Sequence, residues 1–228
     1  MKLLAIDSSS RYFSMGIEKN DCLLVRVLKP FGRELSRKIM PSVESALKKA
    51  NIPLAQFDCF GIGLGPGSFT GLRIGLATLK GLLFSLNKPV VSIPSLDILA
   101  YALRGHSGVV CPVIDAKRGL VYCALYEAKQ GKIQRKSRYL LVPIKEVVEK
   151  VKAKEAVFFL GDGLTLYQNT LEKGLGKRAR FILEEKLWYP QPENLLALIK
   201  EKYKRREFSD IEALVPLYLY PKECQITR

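Results

Sequence analysis

The 228 residues predict an α/β fold of two similar lobes, with mixed sheets flanked by helices. Three observations carry that expectation. Apolar strand segments alternate with helical stripes, a strand ending in aspartate occurs twice, and a chain this long buries roughly 70% of its open-chain surface, enough for two cores. The repeat sets Leu4-Ala5-Ile6-Asp7 against Pro112-Val113-Ile114-Asp115, each followed by a turn holding Arg11 or Arg118 and by a second strand. Further on, Phe60-Gly61-Ile62-Gly63-Leu64-Gly65 answers to Phe158-Phe159-Leu160-Gly161-Asp162-Gly163, a strand opening through glycine into a helix. The expected division is residues 1–104 for the first lobe and 105–207 for the second, with a tail, 208–228, completing the first.

The elements follow in order. Residues 3–7 are an apolar strand, 8–11 turn it, 13–18 alternate apolar with small or polar residues, and Lys19-Asn20-Asp21 leads into a third strand at 22–28, making a meander. Residues 34–51 carry apolar side chains at 35, 39, 43, 46, 47 and 50, a helical stripe. A strand at 57–64, a helix at 68–86 and a strand at 90–93 close the first half. The second half repeats the plan, and a last helix at 193–207 and the tail at 215–220 complete the fold.

Composition narrows the chemistry. With 37 Lys and Arg against 22 Asp and Glu, the formal net charge is +15. Five cysteines (Cys22, Cys59, Cys111, Cys123, Cys224) form no close pair and read as reduced thiols rather than a disulfide framework or zinc ribbon. The single histidine, His106, sits in a loop sequence, so no His-rich metal site can be assembled and a Ser-His or Cys-His nucleophile would rest on that residue alone. The N-terminus meets a carboxylate too soon for a signal-peptide core, and the longest apolar stretch, 72–86, falls short of the roughly 20 residues a bilayer needs. The expectation is a cytoplasmic protein without a membrane partner.

The most informative stretch is Gly61-Ile-Gly-Leu-Gly-Pro-Gly-Ser-Phe-Thr-Gly-Leu-Arg-Ile-Gly75. Glycines let the backbone approach a ligand, and Ser68 or Thr70 suits the N-cap of the following helix, whose free amides favour anions. The spacing is neither a P-loop nor a dinucleotide fingerprint, so a tight strand-to-helix turn explains it equally. Asp7 and Asp115, with Ser8 and Ser9 and the loop residues Gly65, Gly67, Ser68 and Thr70, are candidates for a nucleotide's phosphates or its Mg²⁺. The alternative is an Asx turn capping local amides. In the helix, Leu72, Leu76, Leu79, Leu83 and Leu86 form one buried stripe, while Ile74, Ala77, Thr78, Gly81, Phe84 and Ser85 form a second, small and apolar. A helix apolar on both faces is covered on both, by its own lobe or by a partner subunit.

The charge falls as +7 on residues 1–104, +8 on 105–204 and zero beyond. Clusters lie at Lys129, Lys132, Arg135, Lys136 and Arg138 on a hairpin, at Lys177, Arg178 and Arg180, and along 200–206. They suit a phosphate backbone such as tRNA or, equally, a solvated surface. Apart from Tyr203 no aromatics interleave with them, which weakens a general RNA-binding reading.

The string Gly65-Pro-Gly-Ser-Phe-Thr-Gly-Leu-Arg-Ile-Gly75, with the N-terminal Leu-Ala-Ile-Asp-Ser-Ser, resembles the TsaB (YeaZ) family. Its members are non-catalytic subunits in threonylcarbamoyladenosine modification of tRNA. The likeness runs on through Val113-Ile-Asp-Ala-Lys-Arg-Gly-Leu-Val-Tyr122, Gly161-Asp-Gly163 and Pro216-Leu-Tyr-Leu219. The resemblance implies an actin/Hsp70-like fold of two duplicated lobes. It also implies pairing with a catalytic paralogue, TsaD, which holds the ATP- and metal-dependent site, and an ATPase, TsaE, that joins the complex. The two first-lobe helices would form the shared interface, through Leu35, Ile39, Met40, Arg73, Ile74, Ala77, Thr78, Gly81 and Phe84, and alone the chain would self-associate there. The resemblance gives the chain no cofactor of its own, with ATP or ADP placed at the partner interface, and brings tRNA to it through the complex. Lys132, Arg135, Lys136 and Arg138 are the expected tRNA contacts. Relatives often carry a histidine where this chain has Leu35, and residues 1–105 contain none, so no catalytic or metal residue is assigned. A stand-alone ATPase or kinase using Asp7, Asp115 and the glycine turn is the alternative.

Overall fold

A computed structural model describes residues 1–221. Cys224 and the last part of the expected tail lie outside the described residues. Of the other cysteines, Cys59, Cys111 and Cys123 are buried thiols and Cys22 is exposed. No described helix is long and apolar enough to cross a membrane. Met1–Ile98 and Pro190–Leu217 form one compact unit, and Leu99–Tyr189 with the chain from Tyr218 form another.

In the first unit β1 (Lys2–Asp7), β2 (Phe13–Lys19) and β3 (Cys22–Lys29) make an antiparallel meander. β4 (Cys59–Gly63) and β5 (Val90–Ile93) add in parallel, giving the order β3-β2-β1-β4-β5. Period-two alternation gives β1 two apolar faces. Leu4 and Ile6 pack with Met15 and Phe60 beneath α1 (Leu35–Ala50) and α2 (Phe69–Leu83), whose Leu35, Ile39, Val43, Leu76 and Leu79 complete that core. α1 ends at Asn51, left-handed at φ 51°, a conformation asparagine adopts more readily than most residues. A short α3 (Ser95–Tyr101), absent from the sequence expectation, follows β5.

The second unit is built on β6 (Gly108–Lys117), a ten-residue strand that pairs along one edge with both β7 (Leu120–Cys123) and β8 (Tyr126–Lys129). β9 (Lys132–Arg135) extends β8 as a hairpin, and β10 (Leu140–Pro143) pairs β7. α4 (Ile144–Val151), β11 (Val157–Leu160), α5 (Leu164–Leu175) and β12 (Ala179–Phe181) follow. The order β10-β7-β6-β11-β12 repeats that of the first sheet, strand type for strand type, with β8–β9 as an added hairpin. Val147, Val148, Leu164 and Leu171 cover Cys111, Val113 and Phe159.

The last helix, α6 (Pro192–Lys204), corrects the expected division at residue 207. Its Leu195, Leu196 and Ile199 pack on Leu3, Ala5, Cys59, Val91 and Ile93, the second face of the first sheet, and so belong to the first unit. The described part of the tail forms no strand. The Leu217 amide donates to the Leu64 carbonyl at 2.8 Å, and the Tyr220 hydroxyl donates to the Ala116 carbonyl at 2.9 Å.

Candidate functional site

The glycine-rich segment between β4 and α2 lies directly on the turn that follows β1. The Asp7 carboxylate there is fully buried. Its Oδ1 accepts from the Ser9 amide at 2.9 Å and the Ser9 hydroxyl at 2.8 Å, and its Oδ2 accepts from the Ser95 hydroxyl at 3.0 Å. Ser95 Oγ in turn accepts from the Gly65 amide at 3.1 Å. Burial pushes the Asp7 carboxyl above its ordinary value, against the opposing pull of the Ser9 hydroxyl, the Ser9 amide and the Ser95 hydroxyl.

The loop leaves little room between these parts. A Cβ on Gly71 would stand 2.2 Å from the Ser8 carbonyl oxygen, and one on Gly75 2.1 Å from Ser8 Oγ. The Ser68 amide, the first a helix-bound anion would use, donates to the Ser9 carbonyl at 2.7 Å, and Ser68 Oγ caps α2 by accepting from the Gly71 amide at 3.2 Å. Asp7, Ser8, Ser9, Gly65, Gly67 and Ser68 therefore come together as expected, but as groups engaged with one another: the geometry is that of an Asx turn stapled to a strand-to-helix turn. Thr70 stands apart, exposed on the first turn of α2. Ser95, on α3, was missed in the sequence because it lies 88 residues from Asp7.

In the second unit Asp115 ends the equivalent stretch of β6. Its Oδ1 accepts from the Lys117 amide at 2.9 Å and its other oxygen pairs with the Lys117 ammonium, while its own amide donates to Asp162 Oδ1 at 3.1 Å. Hydrogen bonding to Asp115 raises the Lys117 ammonium above its ordinary value. Lys117 and Arg118 both hold positive φ, 66° and 54°, at the hairpin tip.

The candidate interface residues divide sharply. Leu35 and Ile39 are 6% and 2% exposed and belong to the core beneath α1, which corrects their assignment to a partner surface: their stripe is the inner one. Ile74 and Thr78 are half-buried. Arg73, Ala77, Gly81 and Phe84 are exposed along one side of α2; Met40 on α1 and Phe69, which the expectation omitted, are exposed as well. Phe84 is 92% exposed, Met40 47% and Phe69 37%, with the Arg73 guanidinium stacked 4.0 Å over the Phe69 ring. An apolar residue this exposed on a helix with so few charges marks a surface that water covers poorly.

On the β8–β9 hairpin and the segment after it, Lys132, Arg135, Lys136 and Arg138 are all exposed. Lys136 pairs with Glu127 at 2.9 Å, and Arg135 stacks 4.1 Å over Tyr139. Lys132 and Arg138 pair with no carboxylate among the described residues.

Comparison with known proteins adds to this geometry. A family model described as TsaD, tRNA N6-adenosine threonylcarbamoyltransferase, matches residues 29–227. The tRNA threonylcarbamoyladenosine biosynthesis protein TsaB of Bacillus subtilis (strain 168) is 32% identical over 226 residues, 99% of this chain and 96% of that protein. The protein of the same name from Escherichia coli (strain K12) is 26% identical across 96% of this chain and 94% of its own length. YeaZ from Pseudomonas aeruginosa superposes with a TM-score of 0.82 at 27% identity, over 96% of this chain and 99% of that one. The ROK hexokinase of Thermus thermophilus, at 14% identity and a TM-score of 0.50 over 89% of this chain and all of that one, shares the fold alone. The actin/Hsp70-like class expected for the chain is the class found.

Proposed function

Because the chain belongs to the TsaB (YeaZ) family, we propose that it serves tRNA threonylcarbamoyladenosine formation as a non-catalytic subunit that binds and activates a TsaD-type catalytic paralogue in the cytoplasm. The observation that carries this reading is the outer side of α2. Gly81 sits in the last turn of that helix, where glycine costs a part of the roughly 1 kcal/mol it costs in a helix interior relative to alanine, yet a Cβ there would meet nothing within 4 Å. Gly71 and Gly75 have internal reasons for lacking a side chain; Gly81 has none inside the chain, and a closely approaching helix of a partner supplies one. Phe84, three residues further on, and the exposed Phe69 and Met40 elsewhere on α2 and α1 offer apolar anchors for such a contact.

The closed turn at Asp7 supports the same assignment from the other side. The donors that reach Asp7, together with the Gly65 and Ser68 amides, are already paired, which leaves this loop little to offer a nucleotide and favours the paralogue for the ATP-dependent chemistry. A TsaE-type ATPase joining the pair, ATP or ADP at the subunit boundary and self-association of the isolated chain through α1 and α2 belong to this reading. Lys132 and Arg138 supply its tRNA side.

Gly81→Arg tests it directly. The substitution points into open space, so circular dichroism and thermal unfolding remain those of the parent chain, while affinity for the TsaD-type protein falls at least 100-fold by calorimetry. A complex of unchanged affinity overturns the interface. Reversing Lys132, Arg135, Lys136 and Arg138 to glutamate slows modification at physiological salt without loosening the pair; unaltered rates return these cations to a solvated surface.

A further inference from the structure

A groove of about 560 Å³ runs between β3 and α1, on a flank of the helix that the proposed subunit contact does not use. Among the described residues β3 is the outermost strand of its sheet and pairs only with β2, so its other edge presents backbone donors and acceptors with no described strand to take them. Val25, Val27 and Phe31 give the groove an apolar lining, and Arg26, Lys29, Lys38 and Lys49 line it with four cations and no carboxylate. Two of these cations are already held from outside: Arg26 by Glu193 at 2.7 Å and Lys38 by Glu34 at 2.6 Å. Lys29 and Lys49 pair with no carboxylate among the described residues.

The dimensions define an occupant. Lys38 and Lys49 are eleven residues apart on α1, a rise of roughly 16 Å at 1.5 Å per residue. That is the length of about five residues of extended chain. Along α1 at 100° per residue, Lys38, Ser42, Ser45 and Lys49 share one flank, and Met40 lies roughly half a turn away, so the groove and the apolar α2 surface are separate. A nucleic acid would use the cations but neither the strand edge nor the apolar lining; an extended peptide uses all three.

We propose that this groove accepts an acidic, extended segment of a partner protein, about five or six residues long. The segment adds as a strand to the free edge of β3, with β-branched side chains on the apolar lining and carboxylates reaching Lys29 and Lys49. This goes beyond the subunit reading and does not depend on it.

The test is selection of displayed random octapeptides on the full chain, followed by polarisation measurements with the labelled winners. Winners carry alternating acidic and β-branched residues, bind at least tenfold more weakly to the exposed-site variant Lys29→Glu/Lys49→Glu, and slow amide exchange in β3. Gly81→Arg binds them unchanged. Failure to enrich any sequence, enrichment of basic or uncharged peptides, equal binding by the charge-reversed variant, or exchange protection away from β3 each overturns the proposal. Displacement of the peptides by tRNA without protection of β3 assigns the groove to RNA and overturns it as well.

Discussion

Asp7 ends β1 and Asp115 stands two residues before the end of β6, the equivalent strand in a sheet of the same strand order, yet their carboxylates are satisfied in opposite ways. Asp7 is sealed among an amide and two hydroxyls, with a glycine loop closed over it. Asp115 turns to a lysine that is itself 82% exposed, on a hairpin whose tip is left-handed at two non-glycine residues. Duplicating a supersecondary plan thus preserves hydrogen-bond direction and strand order without preserving what the turn is for. One turn is a structural staple, and the other keeps charge at the surface.

The largest test of that contrast is steric. Gly71→Ala places a methyl 2.2 Å from a backbone carbonyl that cannot move without breaking the Asp7 turn. It should cost about 3 kcal/mol or more, read as a lower denaturant midpoint. Gly163→Ala in the second unit meets a Val113 methyl at 2.8 Å and a carbonyl at 2.9 Å and should cost about half as much. Equal losses would mean that the two turns are equally closed.

Replacing the acids comes next. Asp7→Asn turns an acceptor toward Ser95 Oγ into a donor in a buried site and should cost about 1–3 kcal/mol, whereas Asp115→Asn should cost less than about 1 kcal/mol because Lys117 is exposed. The pH dependences have opposite locations. Burial raises the Asp7 carboxyl in the folded chain, so its contribution is full below the unfolded value, ordinarily 3.8, and is lost as pH rises through the raised folded value. Wild type should therefore gain stability relative to Asp7→Asn as pH falls from neutral toward 4, and a constant difference would refute the buried-charge account. Lys117 is raised as well, but its contribution is complete below the ordinary 10.5 and is lost only above that, so Lys117→Met lowers stability by a small constant amount below that pH and changes the pH dependence only on the alkaline limb. The smallest effect is at Gly81: alanine there, in the last turn of α2, should stabilise the isolated chain by up to about 0.5 kcal/mol while weakening the subunit contact, a pairing that an internal role for Gly81 does not produce.

Which of these features were legible follows from how local they are. The meander, β4, β5, β6 and the two long helices of the first unit announce themselves by periodicity, and the second aspartate strand by its likeness to the first. The stripe 35, 39, 43, 46 was visible too, but a stripe names a buried face without saying what buries it, and Leu35 and Ile39 turned out to face the sheet of their own unit. α3 spans seven residues, under two turns, too short for a period to register, so Ser95 and its bond to Asp7 stayed hidden. α6 is apolar enough to fit either sheet, and only packing decides that it covers the first. The groove beside β3 joins a strand edge to one helix flank, a juxtaposition that no single periodic segment encodes.

The placement of α6 has a consequence for how the chain is made. The second face of the first sheet, Leu3, Ala5, Cys59, Val91 and Ile93, waits for side chains of α6 that are synthesised roughly 100 residues after α3 begins. At about 5–20 residues per second, that leaves the apolar face bare on the ribosome for about 5–20 s. The core cluster of the second unit lies entirely between Val109 and Trp188, so it is in hand before α6 emerges. The sheet that is translated first is thus covered on its second face only after the core cluster of the second unit has been made.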